Sequence, residues 1–325
     1  MRIQWNRVVL YAMVVGLLIL LARGYYIARC SGGEQPVAAE NQVAITVFDH
    51  RKNQAAEQSL ETYLVGVVAA EMPATFPEEA LKAQAVAART YTVYHMLHGG
   101  CRQHGTDVCT DSSCCQAYCD FERRKEKWLG QSGAYEKKVA AAVAATAGEV
   151  LLFEGQPIDA LYHSASGGQT ENAEDVYSTE LPYLKSVMST AEAGTEKIDG
   201  QITMSASEFC NLVNQQWPQA KLKENGLAEQ VQVIEQTESG RVGKIRLGNT
   251  EVTGRNLRSL LKLDSTLFTI QCSGDSVLIS SKGYGHGVGM SQTGANVMAL
   301  GGRTYAEILL YYYTGAEIGR LELTK

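Results

Sequence analysis

The chain has 325 residues, of which 45% are hydrophobic and 20% are charged. This composition excludes a disordered chain and a membrane protein with many spans, and the length suits one large domain or two small ones. The formal net charge of −6 argues against a nucleic-acid partner, because nucleic-acid-binding proteins need a basic surface. Five of the eight cysteines lie within residues 101–119, which predicts a metal site or a local disulfide framework.

An apolar segment near the N-terminus predicts a membrane anchor. Residues 8–22 carry no charge, and arginines flank them on both sides. The bulky residues that follow disfavour cleavage of a signal peptide, which is the alternative interpretation. We therefore expect residues 1–29 to form a cytosolic tail and one transmembrane helix, residues 30–42 a linker, and the rest an extracytoplasmic region.

The first predicted elements are a strand followed by two helices. Residues 43–48 alternate between apolar and polar side chains, as a strand does. Apolar positions at helical spacing begin at Leu60 and end near Glu71, and Pro77 then marks the start of a long helix rich in alanine.

The remaining elements mix strands and helices without regular order. A cysteine-rich loop spans residues 99–120, a helix is predicted at 135–146, and a hairpin turn at 154–157. Because strands and helices do not alternate as in a doubly wound sheet, the predicted fold class is α+β with mixed sheets. Further strands are predicted at residues 231–236, 244–248, 267–272 and 276–280.

Glu71 is the main candidate for acid–base chemistry. It ends an apolar helix beside Met72, and prolines interrupt the chain directly afterwards. A carboxyl group held against apolar surface has a raised pKa, which a general acid working near neutral pH requires. The alternative is a partly solvated glutamate at the end of a helix.

Arg89 is a conspicuous polar residue on the alanine-rich helix, together with Gln84 and Thr90. An arginine there can orient a carboxylate or bind a carboxylated or acetylated substrate. An ordinary surface charge is the alternative.

Three long stretches of the sequence resemble the stage II sporulation protein D family of spore-forming bacteria. They are YLVGVVAAEMPATFPEEALKAQAVAARTYT at 63–92, YHSASGGQTENAEDVYSTELPYLKSV at 162–187, and GYGHGVGMSQTGANVMALGGRTYAEILLYYYTGAEI at 283–318. The resemblance covers residues 43–320 as one catalytic region and leaves 321–325 as a C-terminal tail.

The resemblance implies a lytic transglycosylase that degrades peptidoglycan during engulfment of the forespore. Such an enzyme cleaves the β-1,4 bond between N-acetylmuramic acid and N-acetylglucosamine without water, and the family's catalytic acid/base falls on Glu71. The resemblance also implies a preference for glycan strands stripped of stem peptides, and a place at the cell membrane on the mother-cell side of the septum. The implied partners are the amidase stage II sporulation protein P and the membrane protein stage II sporulation protein M.

The second stretch supplies predicted substrate-binding residues. Ser164 and Ser166 offer hydroxyl groups to a sugar, although a hydrogen-bonded turn would also explain them. Tyr183 and Lys185 match family positions implicated in activity. A ring can stack on a sugar and a lysine can bind a carboxylate, while core packing is the alternative for Tyr183.

His286 lies in the third stretch between glycines, which allow close approach of the backbone. Three roles stay open for it: a substrate contact, a neighbour that tunes the pKa of Glu71, and a structural histidine.

The cysteine-rich loop favours zinc by ligand type, because thiolates and imidazole are its usual protein ligands and a structural site takes four. The resemblance places two ligands on Cys109 and Cys115. His104 is the expected third ligand, and Cys114 stands where relatives often carry histidine.

Two alternatives to zinc stay open for this loop. An extracytoplasmic loop can be oxidised, with Cys119 paired to Cys101 or Cys114. A bond between the adjacent Cys114 and Cys115 would be strained. The thiols can also remain free.

Two other functions fit the same residues. A muramidase would hydrolyse the bond with a second carboxylate, for which Asp175 is the candidate. A cell-wall binding or scaffold protein would carry the same signature without catalysis.

Overall fold

The computed structural model describes residues 43–189, 192 and 199–320. The predicted anchor, linker and C-terminal tail lie outside the described residues. Within the described ranges, no helix has the length and apolar character needed to cross a membrane.

The described helices are numbered in chain order. They are α1 (Leu60–Glu71), α2 (Glu78–Leu97), α3 (Phe121–Lys127), α4 (Ser132–Ala145), α5 (Ala173–Tyr177), α6 (Ala206–Gln216), α7 (Leu227–Gln230), α8 (Gly254–Leu261), α9 (Gln292–Leu300) and α10 (Tyr305–Tyr312).

The described strands are short. They are β1 (Ala44–Asp49), β2 (Gln54–Ser59), β3 (Val108–Cys109), β4 (Glu149–Phe153), β5 (Gln156–Pro157), β6 (Tyr162–His163), β7 (Asp199–Ser205), β8 (Val231–Gln236), β9 (Val242–Leu247), β10 (Thr250–Thr253), β11 (Phe268–Ser273), β12 (Ser276–Lys282), β13 (Met290–Ser291) and β14 (Glu317–Arg320). Together with the helices they confirm the predicted mixed α+β class.

Two separate hydrophobic cores divide the described residues into two lobes. One core draws on residues 43–189 and 283–320, which we call the main lobe, and the other on residues 199–282, which we call the inserted lobe. Strand β7 pairs antiparallel with β12, so the inserted lobe begins and ends on neighbouring strands. The predicted region 43–320 therefore contains two cores, which the pattern of elements did not reveal.

Helix α2 is the centre of the main lobe because its small side chains let other helices approach closely. Five of its buried residues are alanine, and it packs against α1, α4, α9 and α10. The predicted start is confirmed within one residue, since Pro77 is the N-cap and Glu78 and Glu79 fill the first turn, where the helix dipole favours acids.

Strand pairing in the main lobe brings distant parts of the sequence together. Strand β1 pairs antiparallel with β2 and parallel with β3, which places Cys109 opposite Phe48. Strand β6 pairs parallel with β13, so Tyr162 lies opposite Met290. The second and third motif stretches therefore meet at this pair of strands.

The predicted hairpin at 154–157 is confirmed in part. Glu154 and Gly155 form its turn with positive φ angles, and β14, β4 and β5 make an antiparallel sheet. Its second arm is only Gln156–Pro157, because the chain then leaves this sheet and β6 pairs with β13 instead.

The inserted lobe contains two antiparallel sheets of three strands each. Their orders are β10–β9–β8 and β11–β12–β7. Helices α6 and α8 pack on them, and the predicted strands of this half are confirmed as β8, β9, β11 and β12.

Candidate functional site

Glu71 is the last residue of α1, and its carboxylate is held by neutral donors from two distant segments. The backbone N–H of Ala117 donates to Oε1 at 2.9 Å, and Nε2 of Gln292 donates to Oε2 at 3.0 Å. The same Gln292 nitrogen lies 3.3 Å from Oε1 of Gln84, on α2. The carboxylate is therefore fixed in position between three parts of the main lobe.

Burial raises the pKa of Glu71 above its ordinary value. The hydrogen bonds from Gln292 and Ala117, and the positive charge of Lys127, oppose this effect without cancelling it. A carboxyl group in this setting carries a proton at higher pH than an exposed glutamate, as the general-acid prediction requires.

The segment that supplies Ala117 is itself held by buried hydrogen bonds. Gln116 donates from Nε2 to the hydroxyl of Thr92 at 3.0 Å and accepts from the hydroxyl of Tyr162 at 2.7 Å. Because Gln116 precedes Ala117, these bonds also fix the N–H group that faces Glu71.

His286 has the hydrogen bonds of a neutral structural histidine. Its Nδ1 accepts from the N–H of Val288 at 3.1 Å, and its Nε2 donates to the carbonyl of Tyr162 at 3.0 Å. Burial lowers the pKa of His286 to about 4. Both ring nitrogens are thus engaged, and the ring supports the strand that carries Tyr162.

Arg89 is buried rather than a surface charge. Its side chain is 1% exposed and forms two hydrogen bonds with the carboxylate of Glu61, at 2.8 and 2.6 Å. It also donates to the carbonyls of Val143 and Glu149 at 3.2 Å each. These contacts join α1, α2, α4 and β4, so the structure gives Arg89 protein partners in place of a substrate.

The two predicted serines differ in their surroundings. Ser164 is exposed, and its carbonyl accepts from the N–H of Thr293 at 2.9 Å. Ser166 is buried, and its N–H and hydroxyl donate to the carboxylate of Glu192 at 2.8 and 2.9 Å. Of the two hydroxyl groups, that of Ser164 is the one available to a ligand.

Tyr183 and Lys185 also differ. Tyr183 is 8% exposed, lies in the main-lobe core, and accepts from the N–H of Asp159 at 3.3 Å. Lys185 is partly exposed and forms ion pairs at 2.8 Å with Glu174 and with Glu180. The core-packing alternative therefore describes the position of Tyr183, whereas Lys185 lies at the surface.

Two further carboxylates bear on the muramidase alternative. Asp175 is exposed and accepts from the side chain of Asn172 at 3.1 Å. Burial raises the pKa of Asp159 to about 6, and its Oδ1 has no hydrogen-bond partner among the described residues. The sequence pattern gave no indication of Asp159, because it lies in an irregular segment after a short strand.

Four cysteines of the loop form a compact group of thiols. The Sγ atoms of Cys101, Cys109, Cys114 and Cys115 all lie within 4.8 Å of one another. We call these residues the four-cysteine group. Cys119 lies outside it, and the described cysteines are free thiols.

The spacing within the four-cysteine group fits a tetrahedral metal ion. Zinc–sulfur bonds of about 2.3 Å place the sulfurs of such a site about 3.8 Å apart. The Sγ of Cys114 lies 3.4 Å from that of Cys101 and 3.9 Å from that of Cys115. Burial raises the pKa of the Cys114 thiol to about 12, so binding of a cation must displace its proton.

Of the predicted ligands His104, Cys109 and Cys115, the two cysteines belong to the four-cysteine group and His104 does not. The ring of His104 stacks on Phe48, with ring centroids 3.8 Å apart, and does not join the group. Cys101 and Cys114 complete the set of four instead. The bend at residues 101–106, held by the pairing of Cys101 with Thr106, returns Cys101 to the other thiols.

Comparison with known proteins identifies the family. The chain is 38% identical over 284 residues to stage II sporulation protein D of Bacillus subtilis strain 168, which covers 86% of this chain and 80% of that protein. The chain belongs to the stage II sporulation protein D family. The homologue from Bacillus amyloliquefaciens is 35% identical over 295 residues, covering 90% of this chain and 84% of that protein.

Two further matches agree with this assignment. A family model described as stage II sporulation protein matches residues 48–153, which include Glu71 and the four-cysteine group. The amidase enhancer of Bacillus subtilis strain 168 is 28% identical over 302 residues, covering 78% of this chain and 40% of that protein. The family model lies within the main lobe, and the match of 284 residues to the Bacillus subtilis sporulation protein is long enough to include both lobes.

Several residues that build the Glu71 site were missed as site residues, although they lie in or near the motifs. Gln292 and Tyr162 belong to the stretches that carry the resemblance. A glutamine within such a glycine-rich stretch could have been predicted as a site residue. Arg241 gives no such signal. It lies in the inserted lobe and donates to the carbonyls of Ser166 at 2.6 Å and Gln169 at 2.9 Å. Arg241 thereby ties the inserted lobe to the serine-containing loop.

Proposed function

We propose that this protein is a lytic transglycosylase that cleaves the β-1,4 bond between N-acetylmuramic acid and N-acetylglucosamine in peptidoglycan, with Glu71 as its acid/base. The observation that carries the proposal is one partly buried carboxyl group with a raised pKa, held at both oxygens by neutral donors. Membership of a sporulation family supports the same assignment.

One carboxyl group is sufficient for this reaction because the substrate supplies its own nucleophile. Protonated Glu71 gives its proton to the glycosidic oxygen as the bond from C1 to that oxygen breaks. The resulting carboxylate accepts the proton of the C6 hydroxyl, whose oxygen bonds to C1. A 1,6-anhydro ring closes, no water is consumed, and Glu71 is protonated again.

The test of the proposed reaction is the chemistry of the new chain ends. Wild-type protein and Glu71→Ala are incubated in ¹⁸O-labelled water with glycan strands that lack stem peptides, and the products are analysed by mass spectrometry. We expect 1,6-anhydro ends without label from the wild type, and no new ends from the variant. Labelled reducing ends would instead assign the muramidase reaction.

The four-cysteine group holds a structural zinc ion in this proposal. Four thiolates fill the coordination shell of zinc, so no position stays open for substrate or water. The ion would hold Cys115 in place, and the next two residues are Gln116 and Ala117, which position Glu71. Metal analysis of the purified protein tests this assignment, and a chain without zinc whose thiols are oxidised would contradict it.

The setting of the enzyme follows from the resemblance and the N-terminal sequence. The proposed enzyme is anchored by residues 8–22 with its catalytic region outside the cytoplasm, and it acts on strands that an amidase has already stripped. Protease treatment of intact cells tests this orientation. A catalytic region that resists digestion in intact cells would contradict it.

A further inference from the structure

A basic cavity lies beside the loop that carries His286. Its volume is about 410 Å³. Helix α8, the turn after it, and the exposed ring of Tyr284 form its walls. The lining residues are Arg255, Arg258, Ser259, Lys262, Leu263, Asp264 and Tyr284.

Three cations point to this cavity from one side of α8. Arg255 and Arg258, spaced at i and i+3, lie on one face of the helix, and Lys262 follows as its C-cap and lines the same cavity. Like charges at this spacing repel each other, so the arrangement costs stability unless an anion is bound. Asp264 is the one acid among the lining residues.

The described hydrogen bonds of these cations go to backbone carbonyls rather than to carboxylates. Arg258 donates to the carbonyls of Leu263 at 3.1 Å and Asp264 at 2.8 Å, and Arg255 donates to that of Val176 at 3.4 Å. Burial lowers the pKa of Arg258, which reflects a cation partly removed from water. A carbonyl satisfies an N–H group but does not neutralise the charge.

Lys262 occupies a position that normally favours glycine. It caps α8 with a φ of 54°, in the left-handed region where a side chain is strained. A cation at a helix C-terminus gains from the helix dipole, which offsets part of that cost. The same residue also completes the row of three cations along the cavity.

A continuous series of contacts connects the cavity with Glu71. The ring of Tyr177 lies 5.8 Å from the guanidinium of Arg255 and 6.0 Å from the ring of His286. His286 in turn donates to the carbonyl of Tyr162, whose hydroxyl donates to Gln116 beside the Ala117 donor of Glu71. The cavity and the Glu71 site thus belong to one connected part of the molecule.

We propose that this cavity binds a carboxylate of the glycan strand at a distance from the bond that Glu71 cleaves. The inference rests on the proposed function, because removal of a stem peptide by amide hydrolysis leaves a free carboxylate on each muramic acid. Arginine forms paired hydrogen bonds with a carboxylate, and Lys262 adds a point charge. The cavity would therefore distinguish stripped strands from strands that still carry peptides.

The experiment measures binding in the full-length protein rather than cleavage, so that it is independent of the proposed reaction. All proteins carry Glu71→Gln to keep the ligand intact. The ligands are stripped glycan strands and the same strands with their carboxylates converted to methyl esters. The double variant Arg255→Gln/Lys262→Gln is compared with Lys244→Gln/Arg246→Gln, which removes two exposed charges from β9 in the same lobe.

We expect the cavity variant to weaken binding of the free-acid strands by about tenfold or more, because charged hydrogen bonds are lost. Binding of the methyl ester and the behaviour of the β9 control should not change. Arg255→Lys/Lys262→Arg keeps both charges and should restore affinity, which separates recognition from misfolding.

Two results would overturn the proposal. Unchanged affinity of the cavity variant for free-acid strands is the first, and equal loss for the methyl ester is the second. Products with reducing ends would refute the transglycosylase reaction while leaving this binding result intact.

Discussion

The Glu71 site and the four-cysteine group are both polar and at least partly buried, but they are assembled in opposite ways. The donors to Glu71 come from positions 46 and 221 residues away along the chain. The four thiols all come from residues 101–115. Glu71 is thus stabilised by the packed main lobe, whereas the thiols belong to one local loop.

This difference matters because the two regions share a segment. Cys115 belongs to the thiol group, Gln116 is held by Thr92 and Tyr162, and Ala117 donates to Glu71. Ala117 lies only two residues after Cys115, so a change in the position of Cys115 should also change the hydrogen bond from Ala117 to the carboxylate of Glu71.

Loss of the thiol group should have the largest effect on stability. We expect Cys109→Ser/Cys115→Ser to abolish metal binding and lower the free energy of unfolding by more than about 3 kcal/mol, because the binding energy of a structural metal contributes to folding. Elemental analysis and urea unfolding measure both quantities.

The matched control is Cys210→Ser/Cys272→Ser, two cysteines of the inserted lobe outside the thiol group. It should retain the metal and lose only about 1 kcal/mol. Equal destabilisation by the two double variants would show that the four-cysteine group has no special role.

Breaking the Arg89–Glu61 pair should have the next largest effect. Arg89→Met leaves the carboxylate of Glu61 without its partner in a mostly buried position, which costs about 3–5 kcal/mol. Arg303→Met is the control, because its pair with Glu307 is exposed and screened by solvent, so its loss should change stability little. If Arg89→Met lowered strand binding but not stability, the substrate-binding role would be correct and the structural role wrong.

The pH dependence of stability should distinguish Glu71 from Glu79. Since the folded pKa of Glu71 is raised, ionisation opposes folding as pH rises above its ordinary value of about 4.5. The stability of Glu71→Gln relative to wild type should therefore increase as pH rises from about 4.5 to the raised folded pKa of Glu71. Each unit by which folding raises the pKa of Glu71 corresponds to about 1.4 kcal/mol of this relative stability.

Glu79→Gln should give the opposite sign. Partial burial acts to raise the pKa of Glu79, but hydrogen bonds from Lys82 and the Tyr305 N–H outweigh it and lower the pKa. Ionised Glu79 therefore stabilises the fold above about pH 4.5, and this advantage is lost as pH falls through its folded pKa. Thermal unfolding across the pH range checks both signs, and parallel curves for the two variants would contradict the assignment.

Local features of the site could be predicted from the sequence, but its distant contacts could not. Helix α1 ending at Glu71 and helix α2 starting after Pro77 follow from spacing and turn chemistry within a few residues. Gln292 as the donor to Glu71 requires β6 and β13 to pair, and short strands of two residues leave little periodic signal.

The same limit explains why the buried position of Arg89 and the separate core of the inserted lobe were not predicted. An arginine on an alanine-rich helix has the same pattern whether it faces solvent or Glu61, since its partner lies 28 residues earlier. Strands β7 and β12 pair although about 77 residues separate them in the sequence, and the second core forms from the segment that they enclose. Such contacts depend on tertiary packing rather than on local preference.

Cleavage of stripped glycan strands by Glu71→Gln is the decisive measurement for the role of Glu71. With the thermal stability retained, we predict that kcat/KM falls by a factor of about 10²–10⁴, the usual contribution of a general acid/base. A folded Glu71→Gln protein that cleaves the strands at the wild-type rate would contradict the assignment of Glu71.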